Sequence, residues 1–208
     1  MSHAQFDQLA IYLDPKDPEC YLALPGTRAL LQDTAVTACW YPLQVDLPNA
    51  PKPEPKSSEA RGLRHRWFRE NYRARELAYY AKVLGLPLQA IYRSARSQCA
   101  AIALLWLQQQ QQPVDVLNWL QALCQRHFEQ AAALTDHQDT IITLLAEQGL
   151  DTADFEHYLA QQGQQQLQIQ LEKNLQQGVI RGPAYRWQDQ LYIGREHLPL
   201  LHQLITAT

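Results

Sequence analysis

The chain has 208 residues, 46 % of them apolar, which is enough for one ordinary core and excludes a disordered tail or a fibre. Eighteen lysines and arginines stand against 21 acids, so the net charge of −3 supplies no general attraction to a phosphate backbone, and nucleic acid is not the default partner. No run approaches 18 consecutive apolar residues, and Met1-Ser2-His3-Ala4-Gln5 shows no basic patch leading into an apolar stretch, so the expectation is a cytoplasmic protein with no membrane partner.

Leu9-Ala10-Ile11-Tyr12-Leu13 is a short apolar run rich in strand formers that ends in the turn-like Asp14-Pro15-Lys16-Asp17-Pro18. Asp17-Pro18-Glu19 then offers an N-cap, a proline at the first helical position and an acid in the first turn. These predict a helix reaching about Gln32, bent near Pro25-Gly26. Val36 to Leu43 reads as a second strand, parallel to the first with a right-handed crossover.

Four prolines between Pro48 and Ser58 exclude sheet interior and helix, so that stretch is read as an exposed connector. From Glu59 to about Gln177 the periodicity is helical, with breaks at Gly85-Leu86-Pro87, Pro113, Thr135-Asp136 and Gly149-Leu150-Asp151. Thr135 and Gln138 have capping-box spacing, and Asp151 or Thr152 is placed to cap the following helix. Ala184–Trp187 and Gln190–Ile193, around Gln188-Asp189, predict a hairpin, and a helix over about Glu196–Ile205 closes the chain.

The fold class is therefore α/β. Strand, helix, strand, a long helical stretch, hairpin and helix is the element order of a thioredoxin fold interrupted by a large all-helical insertion. That order assigns residues 1–58 and 164–208 to a thioredoxin-like domain and 59–163 to an inserted helical domain.

Individual segments carry a resemblance. Asp14-Pro15-Lys16-Asp17-Pro18-Glu19-Cys20-Tyr21 resembles the D-P-x-C-P-x-C-Y active-site turn of the DsbA-like thioredoxin superfamily, with Asp17 at the first cysteine position. Gly178-Val179-Ile180-Arg181-Gly182-Pro183-Ala184-Tyr185 and Tyr192-Ile193-Gly194-Arg195-Glu196-His197-Leu198 resemble blocks of one branch, the 2-hydroxychromene-2-carboxylate isomerases and kappa-class glutathione transferases. Asn71–Leu77 and Gly85-Leu86-Pro87-Leu88 are similar to that branch's arginine-bearing helix and its G-L-P break.

The resemblance implies glutathione as cosubstrate, a homodimer, and a cleft lined by Asp17, Cys20, Gly182, Pro183 and Glu196. Two-cysteine disulfide exchange is excluded, because Asp17 has no sulfur. In the isomerase and transferase branch this position is a serine whose hydroxyl meets the glutathione thiolate. A carboxylate has no donor to offer and repels a thiolate. Three readings of Asp17 stay open: a carboxyl kept protonated by an apolar setting, a general base, or simply a helix cap.

Cys20 takes the resolving-cysteine position, either a reactive lone thiol or a small buried hydrophobe. A lone-thiol oxidoreductase needs Cys20 accessible with a lowered pKa, and a binding protein that kept only the fold is the third alternative. Pro183 matches the family's cis-proline, beside which the Gly182 backbone would receive a substrate by strand addition. Glu196 supplies an acid for the γ-glutamyl ammonium or a first-turn charge, and Arg195 flanks it as part of the same glutathione block or as a solvated side chain, as does His197.

Seven basic residues from Arg61 to Lys82 against Glu70 and Glu76, interleaved with Trp67, Phe68 and Tyr72, mark a basic aromatic helix that borders the cleft and attracts an anionic substrate, touches nucleic acid weakly, or simply faces solvent. The four cysteines, Cys20, Cys39, Cys99 and Cys124, form no Cys-x-x-Cys pair and are expected as thiols. Cys124-x-x-His127 and Asp154-x-x-His157 lack the four converging ligands of a structural zinc site, so no metal is expected. Twenty-eight glutamines are read as solvated helix faces.

Overall fold

A computed structural model describes residues 8–47, 50, 61–89, 91–92, 95–110, 115–130 and 134–207. Strand β1 (Gln8–Leu13) lies in the middle of a four-stranded sheet of order β2-β1-β3-β4, with β2 spanning Thr37–Pro42, β3 Ala184–Trp187 and β4 Gln190–Ile193. It pairs parallel with β2, Ile11 opposite Trp40, and antiparallel with β3, Ile11 opposite Tyr185. Both faces of β1 are covered, which is why its sequence is almost continuously apolar. The pleat sends Leu9, Ile11 and Leu13 into the main core, and Ala10 and Tyr12 into a smaller cluster with Tyr41 and Leu43 on the opposite face.

Helix α1 (Pro18–Thr34) connects β1 to β2. Asp17 caps it, its carboxylate accepting from the Glu19 amide at 2.9 Å, as its sequence position predicts. Pro25 lies inside α1, and the helix runs two residues beyond Gln32 before Ala35 ends it at φ 52°. Gly26 admits α8 (Leu198–Thr206) closely, since a Cβ there would lie 2.8 Å from Leu198 Cδ1.

Helix α2 (Arg61–Leu84) is mostly exposed and buries Leu77 and Ala81 against Leu22. It stops at Gly85, whose φ of +65° suits glycine. Helix α3 (Gln98–Leu107) is buried at every position from Cys99 onward, so its sequence is apolar all round. Helices α5 (Gln138–Ala146) and α6 (Thr152–Tyr158) pack against it, α4 (Val116–Glu129) packs against α1 and α5, and α7 (Gln164–Gln176) packs against α3 and returns the chain to the sheet. One apolar cluster runs unbroken from the sheet through α3 to α6. No helix among the described residues is long and apolar enough to cross a membrane.

Two expected helix starts are corrected. Thr135 caps nothing in its own helix: Leu134–Asp136 form a 3-10 turn, and buried Thr135 donates to the Arg96 carbonyl at 2.6 Å. Asp136 accepts from the Cys99 amide at 2.9 Å and so caps α3, whose own Ser97 makes no side-chain cap. At the C-terminus, Arg195–His197 form a 3-10 turn and the α-helix begins at Leu198. Pro199 lacks the N–H that would bond the Arg195 carbonyl, so an α-helix cannot run through from Glu196. Asp151 does cap α6, through the Ala153 amide at 3.0 Å, and the hairpin stands at the expected residues. Apart from Ala50, the Pro48–Ser58 connector lies outside the described residues, as do Glu59, Ala60 and Pro113.

Candidate active-site cleft

The turn between β1 and α1 is built on Asp14, which is fully buried. Its carboxylate accepts from the Val45 amide at 2.8 Å and the Lys16 amide at 3.2 Å, and it ion-pairs with the Lys16 ammonium. Lys16 is itself buried and donates to Ser97 Oγ at 3.3 Å. A buried carboxylate is stable only when paired in this way, and the pair ties the turn to the start of α3.

That turn delivers Asp17 and Cys20 into the protein rather than onto its surface. Asp17 is 5 % exposed, and burial, reinforced by the charges of Asp14 and Glu19 against the helix-cap hydrogen bond and Arg73, pushes its carboxyl up to about 7. Cys20 is 2 % exposed and accepts from the Asp14 amide at 3.4 Å. Burial and the neighbouring Asp17 push its thiol well above the usual range. The Cys20 sulfur lies directly beneath Gly182, where a Cβ would approach it to 2.8 Å.

The Gly182–Pro183 peptide is cis, and the Pro183 carbonyl accepts from the Gly194 amide at 2.8 Å. Gly194, at φ +117°, has its Cα side covered by the Glu196 carboxylate, which would lie 2.2 Å from an added Cβ. The backbone conformation favours glycine there, while the exposed Glu196 side chain can swing aside.

A cleft of about 640 Å³ separates this surface from α2. Gly182, Pro183, Arg195 and Glu196 line it, whereas Asp17 and Cys20, expected on its wall, sit behind it. Their place at the α1 N-terminus is taken by Glu19. One Glu19 oxygen lies 3.3 Å from Arg73 Nε on α2 and the other 3.4 Å from Arg195 Nε. The Arg195 guanidinium in turn stacks 3.8 Å over the Tyr80 ring. The expectation of a solvated Arg195 is thus corrected: its side chain is held between Glu19 and Tyr80. His197 packs its ring against Tyr192 at 5.8 Å.

Sequence reasoning passed over Glu19, Lys16, Tyr80 and Arg181 as site residues. The one local signal was the charge of Glu19 in the first turn of α1 facing an arginine-rich helix elsewhere in the chain. Cys124 is buried and its thiol points to the Pro15 carbonyl at 3.4 Å, which makes it part of the support under the turn. Among the described residues no three His, Cys, Asp or Glu side chains converge as a metal site would need.

The cleft has the Gly182 backbone ahead of β3, the exposed Glu196 carboxylate and the paired Arg73 and Arg195 guanidiniums, groups able to bind a short zwitterionic or anionic peptide. The fold is shared with solved structures. A 2-hydroxychromene-2-carboxylate isomerase is similar at 18 % identity and a TM-score of 0.69, over 96 % of this chain and 95 % of that one. A probable DsbA oxidoreductase from Streptomyces coelicolor is similar at 16 % identity and a TM-score of 0.67, over 96 % and 88 %. The cytosolic disulfide reductase DsbM from Pseudomonas aeruginosa, in a structure with GSH, is similar at 15 % identity and a TM-score of 0.63, over 96 % and 98 %. No curated protein matches the sequence. The sequence pattern of the DSBA-like thioredoxin domain matches residues 8–206, and the chain belongs to that family.

Proposed function

We propose that the protein is a glutathione-dependent isomerase or transferase-like enzyme that binds the reduced tripeptide in the cleft between α2 and the cis-proline loop. The observation that carries this reading is the cleft wall itself: the Gly182 backbone ahead of the cis-proline, where a peptide would pair, stands beside Arg195 and Glu196. The volume, about 640 Å³, suits a small-molecule ligand. The similar DsbM structure with GSH points the same way.

In this reading Glu196, exposed at the rim, meets the γ-glutamyl ammonium, and Arg195 and Arg73 meet carboxylates. Asp17 tunes the thiol from behind. With its carboxyl pushed up to about 7, it is neutral in a large fraction of molecules near neutral pH and then sets no charge against a thiolate at the α1 N-terminus. Four unpaired thiols suit a reducing compartment, so the cytoplasm is the proposed location. The family resemblance extends the proposal to a homodimer, which light scattering on the purified chain checks.

One observation favours a second reading, a non-catalytic binding protein. Glu19 already occupies the guanidiniums that an anionic ligand would use. The third, a single-cysteine oxidoreductase, requires an exposed thiol of lowered pKa, and Cys20 is buried with its thiol pushed up.

Calorimetric titration with reduced glutathione separates these. Binding by the natural protein carries the enzyme reading. Binding by Asp17→Ser alone marks a kept cleft whose own ligand is not a thiolate. Binding by neither overturns the glutathione reading.

A further inference from the structure

Beside the cleft, a second cavity of about 510 Å³ opens between α2 and the segment that precedes β3. Four guanidiniums line it, those of Arg66, Arg69, Arg73 and Arg181, with Tyr92 and a single carboxylate, Glu70. The first three arise from one helical face, since positions i, i+3 and i+7 of α2 stack on the same side. Arg181 comes from the distant residues that lead into the cis-proline loop.

Among the described residues the ion pairs include Arg73 and leave out Arg66, Arg69 and Arg181. Arg73 engages Glu19 through Nε at 3.3 Å, which leaves its two terminal nitrogens for another partner. Glu19 offsets the charge of Arg73, and the single Glu70 leaves an excess of positive charge among Arg66, Arg69 and Arg181, which repel one another around one concavity. An oxyanion in the cavity removes that repulsion, and guanidinium forks match phosphate and carboxylate oxygens in pairs.

We infer that this cavity is a binding site for a small ligand carrying two or more oxyanion charges, a phosphate ester or a polycarboxylate. The inference does not rest on glutathione binding, although the two cavities adjoin. The two cavities share Arg73 and Arg181, so a ligand seated here reaches the wall of the cleft. A nucleic acid would instead track the whole basic helix, including Arg64, Arg75 and Lys82, which line neither cavity.

The test is calorimetric titration of the full chain with pyrophosphate and, separately, with citrate at constant ionic strength, in the absence of glutathione. The natural protein is compared with R69Q, R181Q and R75Q; all three positions are exposed, so folding is retained and circular dichroism checks it. Saturable one-to-one binding of at least one anion is expected, weakened about tenfold or more in R69Q and in R181Q. In R75Q it stays within about twofold of the natural value. Binding of pyrophosphate only assigns a phosphate ligand, and of citrate only a polycarboxylate. Absence of saturable binding for both anions overturns the inference. So does equal weakening by R75Q. Glutathione affinity measured on R69Q, whose position lines only this cavity, reports on the cleft independently.

Discussion

Glu19 and Arg195 face each other across the mouth of the cleft, Oε2 to Nε at 3.4 Å, with the guanidinium sandwiched between that carboxylate and the Tyr80 ring. Glu19 holds Arg73 on its other oxygen, so one side chain from the first turn of α1 links α2 to the loop after β4. The pairs are partly solvated, Arg73 being 46 % exposed, and their net contribution to stability is small. Their larger effect is on what else the two arginines can bind.

Glu19→Gln therefore costs less than about 1 kcal/mol of stability. Glutathione affinity rises several-fold, because two guanidiniums lose their internal partner. Thermal denaturation and calorimetry on the same variant check both halves. A large drop in melting temperature, or unchanged affinity, would contradict the pairing as described.

Asp17 makes stability depend on pH in a direction unusual for a carboxylate. Well below pH 3.8 the group is protonated in folded and unfolded chains alike and costs nothing. Between the ordinary 3.8 and about 7 the folded chain binds the extra proton, so its stability falls as pH rises through that window. Asp17→Asn keeps an acceptor for the Glu19 amide and removes the buried charge. It should match the natural protein at pH 4 and exceed it at pH 8 by up to about 4 kcal/mol. Urea denaturation at both pH values reads the difference directly, and parallel stability curves would show that Asp17 is ionised as freely as a surface carboxylate.

The thiols should react in order of exposure. Cys20, Cys99 and Cys124 are buried, and Cys39 is only partly so. Native-state alkylation followed by peptide mapping is expected to label Cys39 first and Cys20 slower by about 100-fold or more, since burial withholds both access and the thiolate form. Rapid labelling of Cys20 would restore the single-cysteine oxidoreductase.

Gly182 is tight for a reason distinct from backbone freedom. An added Cβ meets the Cys20 sulfur at 2.8 Å and Leu43 Cδ1 at 3.1 Å. Gly182→Ala should destabilise by about 1–3 kcal/mol through overpacking. Pairing it with Cys20→Ala removes the nearest obstacle, so the double variant should lose less than the sum of the singles. Strict additivity in chemical denaturation would mean that the two residues do not touch.

Much of the fold is legible because its signals are local. The apolar run at Leu9–Leu13, the Asp17-Pro18-Glu19 start of α1 and the two-residue turn at Gln188-Asp189 each decide their own backbone. The site is less legible because its partners are far apart in sequence. Nothing near Glu19 announces Arg73 or Arg195, and nothing near Lys16 announces Ser97. The same holds for Thr135 and Asp136, whose spacing suits a local cap while their hydrogen bonds go to Arg96 and Cys99. Pattern placed Asp17 and Cys20 on the right turn, but which way that turn faces was decided by the burial of Asp14 and Lys16 beneath it.

The most direct test of glutathione in the cleft is a titration of nitrogen-15-labelled protein with reduced glutathione, followed through backbone amide shifts. Glycine amides are resolved from most others, and Gly182 and Gly194 lie on the cleft wall while Gly149 and Gly163 lie far along the chain in the helical segment. Saturable shifts at Gly182 and Gly194, with Gly149 and Gly163 unmoved, are the expected result. No shift at any of the four, or shifts confined to Gly149 and Gly163, would contradict glutathione binding against the cis-proline loop.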